Sequence, residues 1–149
     1  MILVSACLCG INCRYDGQDS LNPQVLELFN KGELVPVCPE QLGGLSTPRA
    51  CMEIVGGEGK NVLEGKSKIL DKTYTADSSG EFIEGARRVL KIAKVLNIQK
   101  AILKQRSPSC GFGKIYDGSF SGNLIEGNGV TAELLRQNGI EILTEEDFV

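Results

Sequence analysis

The chain has 149 residues, 42% of them hydrophobic and 23% charged, with a net charge of −3, the size and composition of one globular domain with its own core. It contains no histidine, which excludes Ser-His-Asp and Cys-His nucleophile systems, the two-His-one-carboxylate iron site and every His-containing zinc site. No apolar run approaches the ~20 residues that span a bilayer, and no basic block offers the footprint that phosphate-backbone binding requires, so neither a membrane nor a stable nucleic-acid complex is expected.

Ile2-Leu3-Val4 reads as a first strand. The N-terminus lacks the basic start and long apolar stretch of a signal peptide, so a cytoplasmic protein is expected, in which six cysteines are not structural disulfides. After a polar loop, Asn22-Pro23 reads as an N-cap and N1 proline opening a helix through Phe29, with Gly32 ending it. Leu34 to Val37 is the next strand, and Cys38-Pro39-Glu40-Gln41-Leu42-Gly43-Gly44 marks a turn or loop opening at its exit. From about Gly56 to Asp77 the pattern weakens into a mobile excursion with possible hairpin strands at Val62-Leu63 and Ile69-Leu70. Beyond Ser78-Ser79, Phe82, Ala86, Val89, Leu90, Ala93 and Leu96 recur at helical spacing, a core-facing stripe. Ala101 to Lys104 follows as a strand, and residues 105–113 have the turn chemistry of a loop. A last helix near Val130 to Asn138 stops at Gly139, before a final strand over Ile140 to Leu143. Alternating strands and helices predict a single α/β domain, 1–149, with a mostly parallel sheet flanked by helices in a Rossmann-like three-layer arrangement.

In such a sheet the strand exits share one edge, where open α/β folds carry ligand sites. Cys7, Cys38 and Cys110 each lie just past a predicted strand, so three sequence-distant thiols are expected to meet there. Buried cysteine is also common as a small hydrophobe, and the spacing of Cys7, Cys9 and Cys13 matches neither paired zinc-ribbon cysteines nor a ferredoxin run. Six cysteines can still supply a closed zinc site, or Cys7 with Cys9 or Cys13 a dithiol, although no C-x-x-C is present. Cys51 has no strand-exit context and reads as structural. Glu40, two residues from Cys38, is the candidate acid or base beside a metal; Ser107 and Ser109 matter only if Cys110 is a ligand, since such serines commonly bond their own backbone. Gly65-Lys66-Ser67 misses a P-loop, because five residues separate Gly59 from Gly65 where four are required.

The segments Val4-Ser5-Ala6-Cys7-Leu8, Arg14-Tyr15-Asp16-Gly17, Val37-Cys38-Pro39-Glu40, Gly43-Gly44-Leu45, Pro48-Arg49, Ser107-Pro108-Ser109-Cys110-Gly111, Tyr116-Asp117-Gly118 and Gly127-Asn128-Gly129-Val130 resemble the 2-thiouracil desulfurase family over nearly the whole length. That resemblance implies a 4Fe-4S cluster held by Cys7, Cys38 and Cys110 with one open iron. It implies catalytic roles for Glu40 and for a serine of the Ser-Pro-Ser-Cys loop, Ser109 before Ser107. The implied activity is non-redox desulfuration of a small thiolated nucleobase to the oxo base and sulfide. Cys9 departs from the family's usual hydrophobic residue and is a competing ligand, as is Cys13. Sulfur transfer to a tRNA base and a non-enzymatic cluster- or metal-binding sensor are the alternatives, and the oligomeric state is not legible.

Overall fold

The computed structural model describes residues 1–148. Four parallel strands form the central sheet: β1 (Ile2–Ser5), β2 (Leu34–Val37), β5 (Lys100–Leu103) and β8 (Glu141–Thr144), in the spatial order β2-β1-β5-β8. The chain leaves β1 for one side and then crosses back to the other, so the strand order reverses between β1 and β5. A crevice opens at the carboxyl ends of strands at such a point.

Successive side chains of β1 point to opposite faces. Leu3 joins Ala101 and Leu103 of β5 against Val89 and Ala93 of the long helix α4 (Ser79–Val95) and Leu135 of α5 (Val130–Gln137). Val4 and Ile102 face the other way, onto Val25, Leu28 and Phe29 of α1 (Pro23–Asn30). The sheet is therefore covered on both faces, the three-layer arrangement expected. The α1 start is built as read: the Asn22 side chain accepts from the Val25 N–H at 3.1 Å, with Pro23 next to it. Phe82, Ala86, Val89 and Ala93 of the predicted α4 stripe are buried, but Leu96 lies past the helix end and is 48% exposed.

Three expectations need correction. Residues 56–77 are an ordered subdomain and not a mobile excursion, with Ile69-Leu70 in a hairpin strand as expected. β3 (Met52–Val55) pairs antiparallel with β4 (Lys68–Asp71), enclosing α3 (Gly59–Leu63), and Ile54, Val62 and Ile69 seal against Phe82 and Ala86 of α4. Short apolar pairs among Gly and Lys suffice because α4 supplies the other half of the core. Val62-Leu63 belongs to α3 and not to a strand. A second hairpin, β6 (Lys114–Tyr116) with β7 (Leu124–Glu126), was not legible in its Gly- and Ser-rich sequence. The turn after β2 is a one-turn helix, α2 (Pro39–Leu42), with Cys38 as its N-cap. Among the described residues, no helix is long and apolar enough to cross a membrane.

Candidate active site

A cavity of about 610 Å³ opens at the carboxyl edge of the sheet, and its wall includes Cys7, Cys13, Cys38, Glu40, Arg49, Ser107 and Cys110. The exit of β1 continues into a 3-10 turn (Ala6–Cys9) carrying Cys7. The Ser5 hydroxyl, at the end of β1, accepts the Lys104 N–H at 2.9 Å and ties that exit to the exit of β5. Cys110 is reached through the loop after β5, where the Ser107 hydroxyl accepts the Cys110 N–H at 2.7 Å. The far side of this loop is clamped by α5, whose Val130, Thr131 and Ala132 N–H groups donate to the Pro108 and Ser109 carbonyls. These N–H groups would otherwise be the unpaired donors of a helix start.

Glu40 sits in the first turn of α2, between the thiols and the serine loop. Its Oε1 accepts the Ser109 hydroxyl at 2.7 Å, and its Oε2 lies 3.5 Å from the Cys38 sulfur and 3.7 Å from Arg49 Nη2. The same Arg49 nitrogen donates to the Cys13 carbonyl at 2.9 Å. Both side chains of the Glu40–Arg49 pair are largely buried, where charge-assisted contacts are screened little. Ser109 is fully buried behind the wall, whereas Ser107 is on it.

The six sequence-predicted site residues Cys7, Cys38, Cys110, Glu40, Ser107 and Ser109 are thus brought together. Cys13 joins them on the wall. Cys9, buried in the core beside α1, does not. Cys51 is not a buried structural thiol but an exposed one at the cavity mouth. Arg49 was legible only as part of the Pro48-Arg49 resemblance. Tyr15, Tyr116 and Phe120 add aromatic surface to the wall, on which a flat ring can stack.

The donor set fits a soft, thiolate-bound group. All six cysteines are free thiols. Burial pushes the Cys110 thiol up to about 12, with the Glu40 charge adding to it and hydrogen bonds from Ser5 and Ser109 opposing. The Cys38 thiol is raised by its hydrogen bond with Cys13, by burial and by Glu40. For Cys13 the hydrogen bond with Cys38 lowers the value, but the one with Cys7, burial and neighbouring charges lift it to about 11. Alone these three thiols keep their protons at neutral pH; a bound cation reverses that, since a coordinating thiol is deprotonated outright. Cys7, Cys38 and Cys110 come from three different strand exits, and among the described residues no three Cys, Asp or Glu side chains are grouped so as to hold a single metal ion, so the thiols suit a larger group and not one ion.

Fold and site together define an α/β protein with a thiol-lined, carboxylate-bearing pocket at the switch point of its parallel sheet. A family model described as 2-thiouracil desulfurase matches residues 2–147, and the chain belongs to that family. It is 47% identical over 148 residues to an uncharacterized Bacillus subtilis protein, YbbK, covering 99% of this chain and 97% of that one. It also superposes on the solved structure of the 4Fe-4S-dependent thiouracil desulfidase TudS with a TM-score of 0.85. The two are 37% identical, over 98% of this chain and 91% of TudS.

Proposed function

We propose that the chain, as a single domain, removes sulfur from a 2-thiouracil-like thiolated pyrimidine, taking up water and releasing the oxo base and hydrogen sulfide without net electron transfer. Cys7, Cys38 and Cys110 are the residues that would hold a 4Fe-4S cluster. When bound, that cluster supplies an iron able to take the soft thione sulfur and polarise the C–S bond.

The observation that carries this reading is Glu40, a carboxylate on the cavity wall beside a thiol of the donor set and fixed at both oxygens. Held this way, it takes a proton from water as the water oxygen adds to the ring carbon. The Ser109 hydroxyl is committed to Glu40 Oε1, so Ser109 orients the base. Ser107 lines the cavity and accepts the Cys110 N–H; with the Ser109 proton given to Glu40, its own O–H is held only by a long 3.3 Å contact to the Ser109 oxygen, from which it can turn toward a ring in the cavity. We therefore assign to Ser107 the hydrogen bond to the oxygen or nitrogen that gains charge on the ring.

The test is iron and acid-labile sulfide per chain in anaerobically purified protein, with release of sulfide from 2-thiouracil as the readout of turnover. Cys110→Ala should lose the cluster. Glu40→Ala should keep it and lose roughly 10²–10⁴-fold in turnover, the contribution of a positioned base. Undiminished turnover in Glu40→Ala would remove the base, and no iron or sulfide after anaerobic reconstitution would remove the whole reading.

A further inference from the structure

Three thiols are used in the function proposed above, and one buried thiol on the same wall is left over. Cys13 is 2% exposed and borders the cavity with Cys7, Cys38 and Cys110. Its main chain is pinned: the N–H donates to the Ile11 carbonyl at 2.8 Å, and the carbonyl accepts from Arg49 at 2.9 Å and from the Cys38 thiol at 3.6 Å. The residue belongs to neither helix nor strand, so one side-chain rotation redirects the sulfur without unwinding an element.

Cys9 comes from the same segment, is buried to a similar degree and packs in the same apolar cluster, but it has no place on the cavity wall. Cys13 does have one, beside Cys38, whose sulfur lies 3.6 Å from the Cys13 carbonyl. Iron–sulfur clusters are normally closed by four thiolates, and an iron left open faces a solvent-accessible cavity. A buried thiol on the same wall is a soft donor able to close it.

Resting on the cluster reading above, we infer that Cys13 is a displaceable fourth ligand that closes the cluster at rest and yields its position to the sulfur of the substrate. On closure the thiol gives its proton to solvent and one iron–sulfur bond forms. On opening that bond breaks, the thiolate takes back a proton, and the neutral thione sulfur takes the coordination position. No electron moves in either direction. Such a device shields the reactive iron from oxidants until a ligand soft enough to replace a thiolate arrives.

The experiment reconstitutes wild type, Cys13→Val and Cys9→Val anaerobically, measures iron and sulfide, and then follows conversion to the three-iron form by its paramagnetic resonance signal during titration with ferricyanide. About four iron and four sulfide per chain are expected in all three. Cys13→Val should then lose its fourth iron at least ~10-fold faster than wild type, the lower end of what removal of even an outer-shell partner does to metal affinity, while Cys9→Val should match wild type. Equal rates in Cys13→Val and wild type would overturn the inference. So would complete loss of iron from Cys13→Val, which would make Cys13 a permanent ligand. A wild type without iron or sulfide would instead sink the cluster reading itself. A second measurement needs no variant: Cys13 should resist alkylation by iodoacetamide in the loaded resting protein and become labelled when 2-thiouracil is added. Labelling unchanged by 2-thiouracil would also overturn the inference.

Discussion

Ser107 and Ser109 stand two residues apart and serve different atoms, which makes them separable by substitution. Ser109 is fully buried and its hydroxyl satisfies a carboxylate oxygen; removing it leaves buried Glu40 short of a donor, a loss of ~1–3 kcal/mol in stability. Ser109→Ala should therefore lower both the denaturant midpoint and turnover. Ser107→Ala removes a donor that faces the reacting ring, and a donor of that kind contributes ~10²–10³-fold to the rate. It should lower kcat with a smaller effect on the midpoint, at unchanged iron content. A silent Ser107→Ala beside an inactive but fully stable Ser109→Ala would exchange the two assignments. The family resemblance implied one serine of this loop, with Ser109 favoured; which of two nearby hydroxyls faces a cavity depends on how the loop folds.

The elements that carry these residues are short and depend on their neighbours. A one-turn helix such as α2 does not persist alone, because helix nucleation is unfavourable. It is held against α4 by a pair of glycines. A Cβ at Gly43 would collide with the Glu81 carbonyl, and one at Gly85 with the Pro39 carbonyl. Gly85→Ala should push α2 and Glu40 off their seat, costing ~1–3 kcal/mol by overpacking and most of the turnover. Gly80→Ala, on the same helix with open space around it, should be neutral or stabilising by up to ~1 kcal/mol. At the other side of the site, α5 is steadied by Glu133, whose buried carboxylate accepts from Arg136, Asn128 and Gln137. The Arg136 hydrogen bond in particular, against the cost of burial, holds its pKa down to about 2 from 4.5. A folded value below the unfolded one means the stabilisation is present above pH 4.5 and is lost as pH falls toward 2. By linkage the shift sets an upper bound of about 3 kcal/mol, reduced by solvent screening of the half-exposed Arg136. Unfolding free energies measured from pH 6 to pH 2 should show this loss in wild type and a shallower one in Glu133→Gln.

Across the whole molecule, what the sequence made legible was periodic or punctuated: β1, β2, β5, α1, α4 and the convergence of Cys7, Cys38 and Cys110 at one sheet edge. The β6–β7 hairpin was not, and of the β3–β4 hairpin only Ile69-Leu70 was read as a possible strand, because their few apolar residues bury against α4 and α5 and make no repeating pattern of their own. Cys13 was named only as an open possibility, since a thiol in an irregular loop has no periodicity to fix its direction. The parallel sheet carries its own set of fully buried side chains, Leu3, Val4, Ile102 and Leu103, and so holds its shape independently of the site. The site itself is different. Its thiols stand on segments separated by dozens of residues, and a group that binds them all adds a cross-link to three strand exits otherwise joined by hydrogen bonds such as Ser109–Glu40 and Arg49–Cys13. Binding to the folded state alone stabilises it by mass action, and here that stabilisation should be concentrated at one edge. Anaerobic chelation of the iron should therefore accelerate amide hydrogen exchange in residues 6–22, 38–51 and 105–113 while leaving the amides of β1 and β5 at their protected rates. Uniform acceleration through the sheet would mean that the cluster holds the entire fold together, and no acceleration at the three loops would mean that their geometry is set by Glu40, Ser109 and Arg49 without it.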